Sequence, residues 1–178
     1  MDNKIISYLT LRKAIGYLGM LLAPILVLTV LILEGHVEQS ISAYYNTAMR
    51  DVMVGILITS GAFLISYRGY DLKDNIISWI SGISAIGVAL FSVYQPIIHG
   101  IFAGVFFLSL AYMAYFQFTL GKSRRNNVIY KICAVIILVG AVALPTIRFN
   151  YSVLIFETVM LLAFGASWLV KGSSFKSK

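Results

Sequence analysis

Glu157 is the residue most out of place in this chain. It stands in an otherwise uncharged apolar run, residues 152–170. At roughly 1.5 Å of rise per helical residue it lies about 8–10 Å in from one end of that run. A carboxylate near mid-membrane costs at least about 2.5–3.5 kcal/mol on insertion scales, and less nearer the interface. Such a group calls for a partner or for water. Asn150 lies seven residues earlier and shares its helical face. Arg50, Asp51, Gln95, His99 and Arg148 fall at the same level, at the ends of other apolar runs or in the turns between them. Tyr44, Tyr45 and Asn46 can fold over them from a polar stretch at 40–51 that contains neither Pro nor Gly. Two chemistries follow. One is an outward-facing polar pocket, roofed by that stretch, for a lipid headgroup, a small solute or an ion. The other is internal neutralisation, with Arg50 or Arg148 paired to Glu157 and Arg50-Asp51 seated at a helix start.

His99 follows Pro96 closely and reads first as a hydrogen-bonded interfacial histidine, then as a base. His36 lies among Glu34 and Glu38, a set that reads as a solvated loop before it reads as a weak metal site. Two histidines and one cysteine cannot build a three-histidine zinc centre. The chain carries no His-Glu-x-x-His pair, no Gly-x-Ser-x-Gly elbow and no phosphate-cradling glycine loop. No catalytic residue, metal site or cofactor is assigned. Cys133 sits in an apolar run and reads as a small buried apolar residue.

The elements that must position these groups are set by composition. The chain has 178 residues, 60% of them hydrophobic and 12% charged, with a mean hydropathy of +0.88. A soluble domain is about 45–50% apolar and about 25% charged. A bilayer absorbs that excess and a soluble core does not. The reading is all-α: a polytopic membrane protein, six transmembrane helices in one bundle. The apolar runs are 14–33, 52–67, 76–94, 97–119, 128–145 and 152–170. The first is longer than a signal-peptide core and reads as an uncleaved span. Residues 1–13 form an N-terminal tail, 14–170 the bundle with an outer loop at 34–51, and 171–178 a basic tail.

Six crossings put both termini on one side. Of the 14 Lys and Arg, only Arg50 and Arg148 then fall on the other side. That asymmetry places the termini in the cytoplasm and the chain in the inner membrane. It also accounts for the net charge of +7 without nucleic acid. Membrane lipids are the expected partners, with a homo-oligomer as an alternative. Lys122, Arg124 and Arg125 suit anionic headgroups, at about 1 kcal/mol each. The ionisable groups inside the apolar runs are expected to gather at the non-cytoplasmic end.

Small residues mark helix contacts in lipid. Asp51, Gly55, Thr59, Ala62 and Ser66 form one stripe, and Ser78, Gly82, Ala85, Ala89 and Ser92 another. Both are expected to face the interior. Gly100-x-x-x-Gly104 is a packing or oligomer motif, and Asp74 or Asn75 is the expected cap of the third helix.

Ser40-x-Ser42-Ala-Tyr-Tyr-x-Thr47, Arg50-Asp-Val-x-Val-Gly55, Phe63-Leu-x-x-Tyr67-Arg-Gly-Tyr70 and Ala89-Leu-Phe91 together resemble a family of small, uncharacterised bacterial integral membrane proteins. The resemblance runs over residues 40–91 and implies a membrane location, with no activity attached. Length and span number are loosely similar to the Frag1 and DRAM type. Ceramidase-like hydrolases need several metal-binding histidines that this chain lacks. The expected function is therefore a membrane protein whose outer pocket holds a lipid headgroup or small solute. The alternatives are a channel or transporter subunit, proton-linked through Glu157, and a lipid-modifying enzyme with His99 as base.

Overall fold

The computed structural model describes residues 8–69, 71–147 and 149–173. It holds six long helices: α1 Tyr8–Glu34, α2 Arg50–Ser66, α3 Leu72–Leu90, α4 Pro96–Tyr112, α5 Arg124–Thr146 and α6 Ser152–Ser173. No strand occurs among the described residues. Pro96 opens α4, where its missing N–H costs nothing. Beyond Tyr112 the chain stays coiled through a π turn, Met113–Gln117, and a short 3-10 turn, Phe118–Leu120. The cap of α3 is Asp71, whose carboxylate accepts from the Asp74 amide at 2.8 Å. This corrects the expectation of Asp74 or Asn75: the helix begins a turn earlier than the apolar pattern does.

Four helical stretches are long and apolar enough to cross a membrane: Tyr8–Glu34, Pro96–Leu120, Arg124–Thr146 and Ser152–Ser173. The protein is an all-α chain of membrane type. The 17 residues of α2 reach about 26 Å at a 1.5 Å rise, against about 30 Å of hydrocarbon. α3 opens with Lys73 and Asp74 and buries Ser78, Ser81 and Ser84. Even so, α2 runs beside α1 from Glu34 to Arg12. At one end the Ala48 amide donates to Glu34 Oε1 at 2.9 Å, and at the other Arg12 donates to the Tyr67 hydroxyl at 3.4 Å. The Glu34 end is called outer below, and the Arg12 end inner.

Close backbone contact at small residues holds the helices together. α1 packs most extensively on α6, where a Cβ at Gly16 or Gly165 would press on the other's carbonyl. Gly61 and Gly82 meet in the same way between α2 and α3. Ser78 Oγ donates to Leu64 O at 2.6 Å across that contact, and Ser81 donates to Ser109 on α4 at 2.7 Å.

Of the two small-residue stripes, the one on α3 is buried from Ser78 to Ala89. The one on α2 faces outward instead, with Asp51, Gly55, Thr59, Ala62 and Ser66 all exposed. Met53, Leu57, Ser60, Gly61 and Leu64 form its buried face. The larger apolar residues gain more by filling the core, and Gly61 is the small residue that lets the backbones meet. α4 touches α5 but barely meets α6, and this leaves a groove between them.

Candidate functional site

The outer site is assembled by the connection at 35–49. Gly35, at φ +74°, turns the chain off the end of α1. The chain then crosses to the start of α6, where the first amides lack helical partners. Gln39 supplies them. Its carbonyl accepts from Leu154 N at 3.0 Å, and its Oε1 accepts from Tyr151 N at 3.2 Å. Its Nε2 donates to Asn150 Oδ1 at 3.2 Å. These bonds hold Tyr151 at φ 60°, a left-handed conformation that non-glycine residues rarely adopt.

Two residues further on, the Ile41 amide donates to Glu157 Oε2 at 2.6 Å. Glu157 is half-buried, and its partner is backbone at the start of the short 3-10 helix Ser42–Asn46. The ion pairs at this end are those of His36 with Glu34 and Glu38. The carboxylate of Glu157 therefore holds the loop down through amides. Tyr44 is fully buried beneath the loop. Its hydroxyl accepts from Glu38 N at 3.3 Å, and burial pushes that hydroxyl's pKa above the usual 10.

Ser42 and His99 meet across the gap between this loop and α4. His99 Nε2 lies 2.9 Å from Ser42 Oγ, and its Nδ1 lies 2.7 Å from the Phe91 carbonyl. A carbonyl only accepts, so Nδ1 carries the proton in the neutral ring. Nε2 then accepts from the Ser42 hydroxyl. Phe91 is free to serve because α3 has ended at Leu90, leaving its carbonyl without a helical donor.

Ser42, His99 and Glu157 border two spaces. One is a small cavity of about 30 Å³ against Leu22, Met53, Phe106 and Leu161, also lined by Tyr45 and Ser92. It has room for a water or two. The other is the groove between α4, α5 and α6, about 630 Å³ in volume. Its floor is Gly100, Ala103, Gly104 and Ala141, its sides include Phe107 and Leu144, and its polar lining is Ser40, Ser42, His99 and Glu157. A Cβ at Gly100 or Gly104 would meet nothing within 4 Å. The Gly-x-x-x-Gly motif thus opens a space within the chain and packs against nothing there.

The structure brings Tyr45, His99 and Glu157 to one site. It does not bring in the other described candidates. Arg50 turns onto Tyr45, with Nη2 donating to the hydroxyl at 2.6 Å and the guanidinium 4.3 Å from the ring centre. Asp51 is exposed in the first turn of α2, where a carboxylate favours the helix start. Asn46 and Gln95 are exposed, and Asn150 serves Gln39. Arg148 lies outside the described residues. Ser42, Ser40, Ser92 and Gln39 complete the site, and the sequence reading did not name them as site residues.

The ionisable groups do not all gather at the outer end, contrary to expectation. Arg12, Asp74 and Lys171 are all buried at the inner end. Both other charges act on the Lys171 ammonium. Lys171 Nζ donates to Phe118 O at 3.2 Å and lies 5.1 Å and 5.7 Å from the Phe118 and Tyr130 ring centres. Tyr67, Trp168, Phe118 and Tyr130 pack edge to face around it. Arg12 and Lys171 thus belong to the helical core, although the sequence reading placed them in its tails. No group of three His, Cys, Asp or Glu residues is placed to hold a metal among the described residues.

The comparisons give no family. No protein-family model, curated protein or solved structure matches the chain.

Proposed function

We propose that this protein binds an amphipathic molecule, a membrane lipid or one of similar build, in the groove between α4, α5 and α6. The apolar chain lies over Gly100 and Gly104, and the headgroup meets Ser40, Ser42, His99 and Glu157. The observation that carries this reading is the division of the groove's lining. Its floor is cleared of side chains by glycine and alanine, while its polar groups come from the roofing loop and the helix positions beneath it. An acyl chain needs the first and a headgroup the second. The Glu157 carboxylate selects a headgroup bearing an amine or hydroxyl donor.

All six helices cross the membrane in this reading, with the termini in the cytoplasm of a cell whose inner membrane holds the protein. The run of α2 beside α1 from Glu34 to Arg12, the packing of α3 on α2 and the distribution of Lys and Arg support it. A bilayer drawn in slightly around the short α2 accommodates that helix at a modest cost. A channel through a single copy is less well supported. Gly61 and Gly82 close the α2–α3 seam backbone to backbone, and the smaller cavity has room for only a water or two.

Thermal unfolding in detergent tests the binding. Lipids with amine or hydroxyl headgroups should raise the midpoint, and Glu157→Gln should weaken the apparent affinity about tenfold. An identical lipid response in wild type and Glu157→Gln would reject the headgroup assignment.

A further inference from the structure

Beyond binding, the groove holds the parts of a nucleophilic centre. Ser42 Oγ is 2.9 Å from His99 Nε2, and His99 Nδ1 is fixed by the Phe91 carbonyl at 2.7 Å. A hydroxyl, a base within hydrogen-bond reach and a third group that sets the base's tautomer are the arrangement that activates serine. Each part has a rigid support. His99 sits in the first turn of α4 behind Pro96, and its amide donates to Gln95 O at 2.9 Å. Ser42 opens the 3-10 helix that Glu157 anchors through Ile41. Both side chains border the 630 Å³ groove, so the pair faces the space where a lipid's polar–apolar junction would lie.

We propose that Ser42 and His99 form a catalytic dyad for acyl transfer from a lipid carboxylic ester bound in this groove. The inference rests on the amphipathic-binding reading above. Ser42 Oγ attacks the ester carbonyl while its proton passes to His99 Nε2. The tetrahedral adduct collapses, the ester C–O bond breaks, and the leaving alcohol takes that proton from His99. The acyl group is then carried on Ser42. Water, or the hydroxyl of a second lipid, gives a proton to His99 and attacks the acyl-serine. Ser42 leaves and recovers the proton, releasing a carboxylic acid or a new ester. No redox partner is consumed. The choice of a carboxylic ester follows from the groove: an apolar floor for a chain, with the hydroxyl and imidazole where the ester would stand.

The test uses the full chain in lipid nanodiscs and an alkyl fluorophosphonate probe, with adducts located by peptide mass spectrometry. The expected result is a covalent adduct on Ser42. Labelling should be absent in Ser42→Ala and slower by about 100-fold in His99→Ala. No adduct on Ser42 of the wild-type protein would overturn the proposal, and so would equal labelling rates in a folded His99→Ala. Because the wild-type adduct is read directly, a variant that fails to fold does not shelter the idea. Lipid-induced stabilisation persisting in Ser42→Ala without any wild-type adduct would remove the dyad and leave the binding reading standing. An adduct on Ser42 without lipid stabilisation would do the reverse.

Discussion

The two ends of the molecule handle buried polarity in opposite ways. At the inner end Arg12, Asp74 and Lys171 are packed among Tyr67, Phe118, Tyr130 and Trp168, and Lys171 is only 2% exposed. At the outer end Glu157, His99 and Ser42 are half-buried and border open space. Filled volume around charge indicates a clamp: the inner cluster joins α1, the end of α2, α3, α5, α6 and the turn after α4. Empty volume beside polar groups indicates a site. In the proposed reading the more buried charges are the structural ones, so burial alone would have pointed to the other end.

That contrast can be broken by substitution. The largest effect is expected at Asp74. Asp74→Ala leaves two buried cations without its carboxylate, and losing one member of such a group costs about 3–5 kcal/mol. Unfolding in a denaturant series should register that loss while lipid response in the surviving folded fraction stays unchanged. Glu157→Ala should cost less, about 1.5–3 kcal/mol for one charge-assisted bond, and should lose lipid response. Equal stability losses at both ends would erase the distinction.

Glycines sharpen it further. Gly82→Ala drives a Cβ into the Gly61 carbonyl and should destabilise by about 1–3 kcal/mol as an overpacked contact. Gly104→Ala meets nothing and should stabilise by up to about 1 kcal/mol through helix propensity. Melting curves of the two variants should move in opposite directions.

The smallest effect concerns the loop. The Glu34 carbonyl and the Glu38 carboxylate raise the His36 pKa above its usual 6.5. Its contribution to stability is therefore complete below about 6.5 and is lost as pH rises through the raised value. A shallow decline in melting temperature above neutral pH should flatten in His36→Gln.

Much of the fold was legible because a bilayer imposes it. Hydropathy located all six helices, and the ends moved where charge and helix overlap. Lys73 and Asp74 lie in the first turn of α3, and Arg12 and Lys171 lie inside α1 and α6. Counting basic residues assigns a side but not a depth, so those two cations read as tails. Glu157 was legible as an anomaly, but its partner was not. Arg50 was one of the two cations the sequence offered to Glu157, yet Tyr45, five residues from it, offers it both a ring and a hydroxyl. The Ile41 amide that Glu157 bonds leaves no mark on residue type. Ser42 and His99 are 57 positions apart, joined by topology and by no motif.

The most direct test of the groove is to fill it. Gly104→Phe places a ring where a Cβ now meets nothing within 4 Å, and native mass spectrometry of protein released from membranes reads the outcome. The account predicts one retained lipid per wild-type chain and none on Gly104→Phe, with an unchanged melting temperature for the lipid-free forms. Equal lipid retention by both proteins would contradict it.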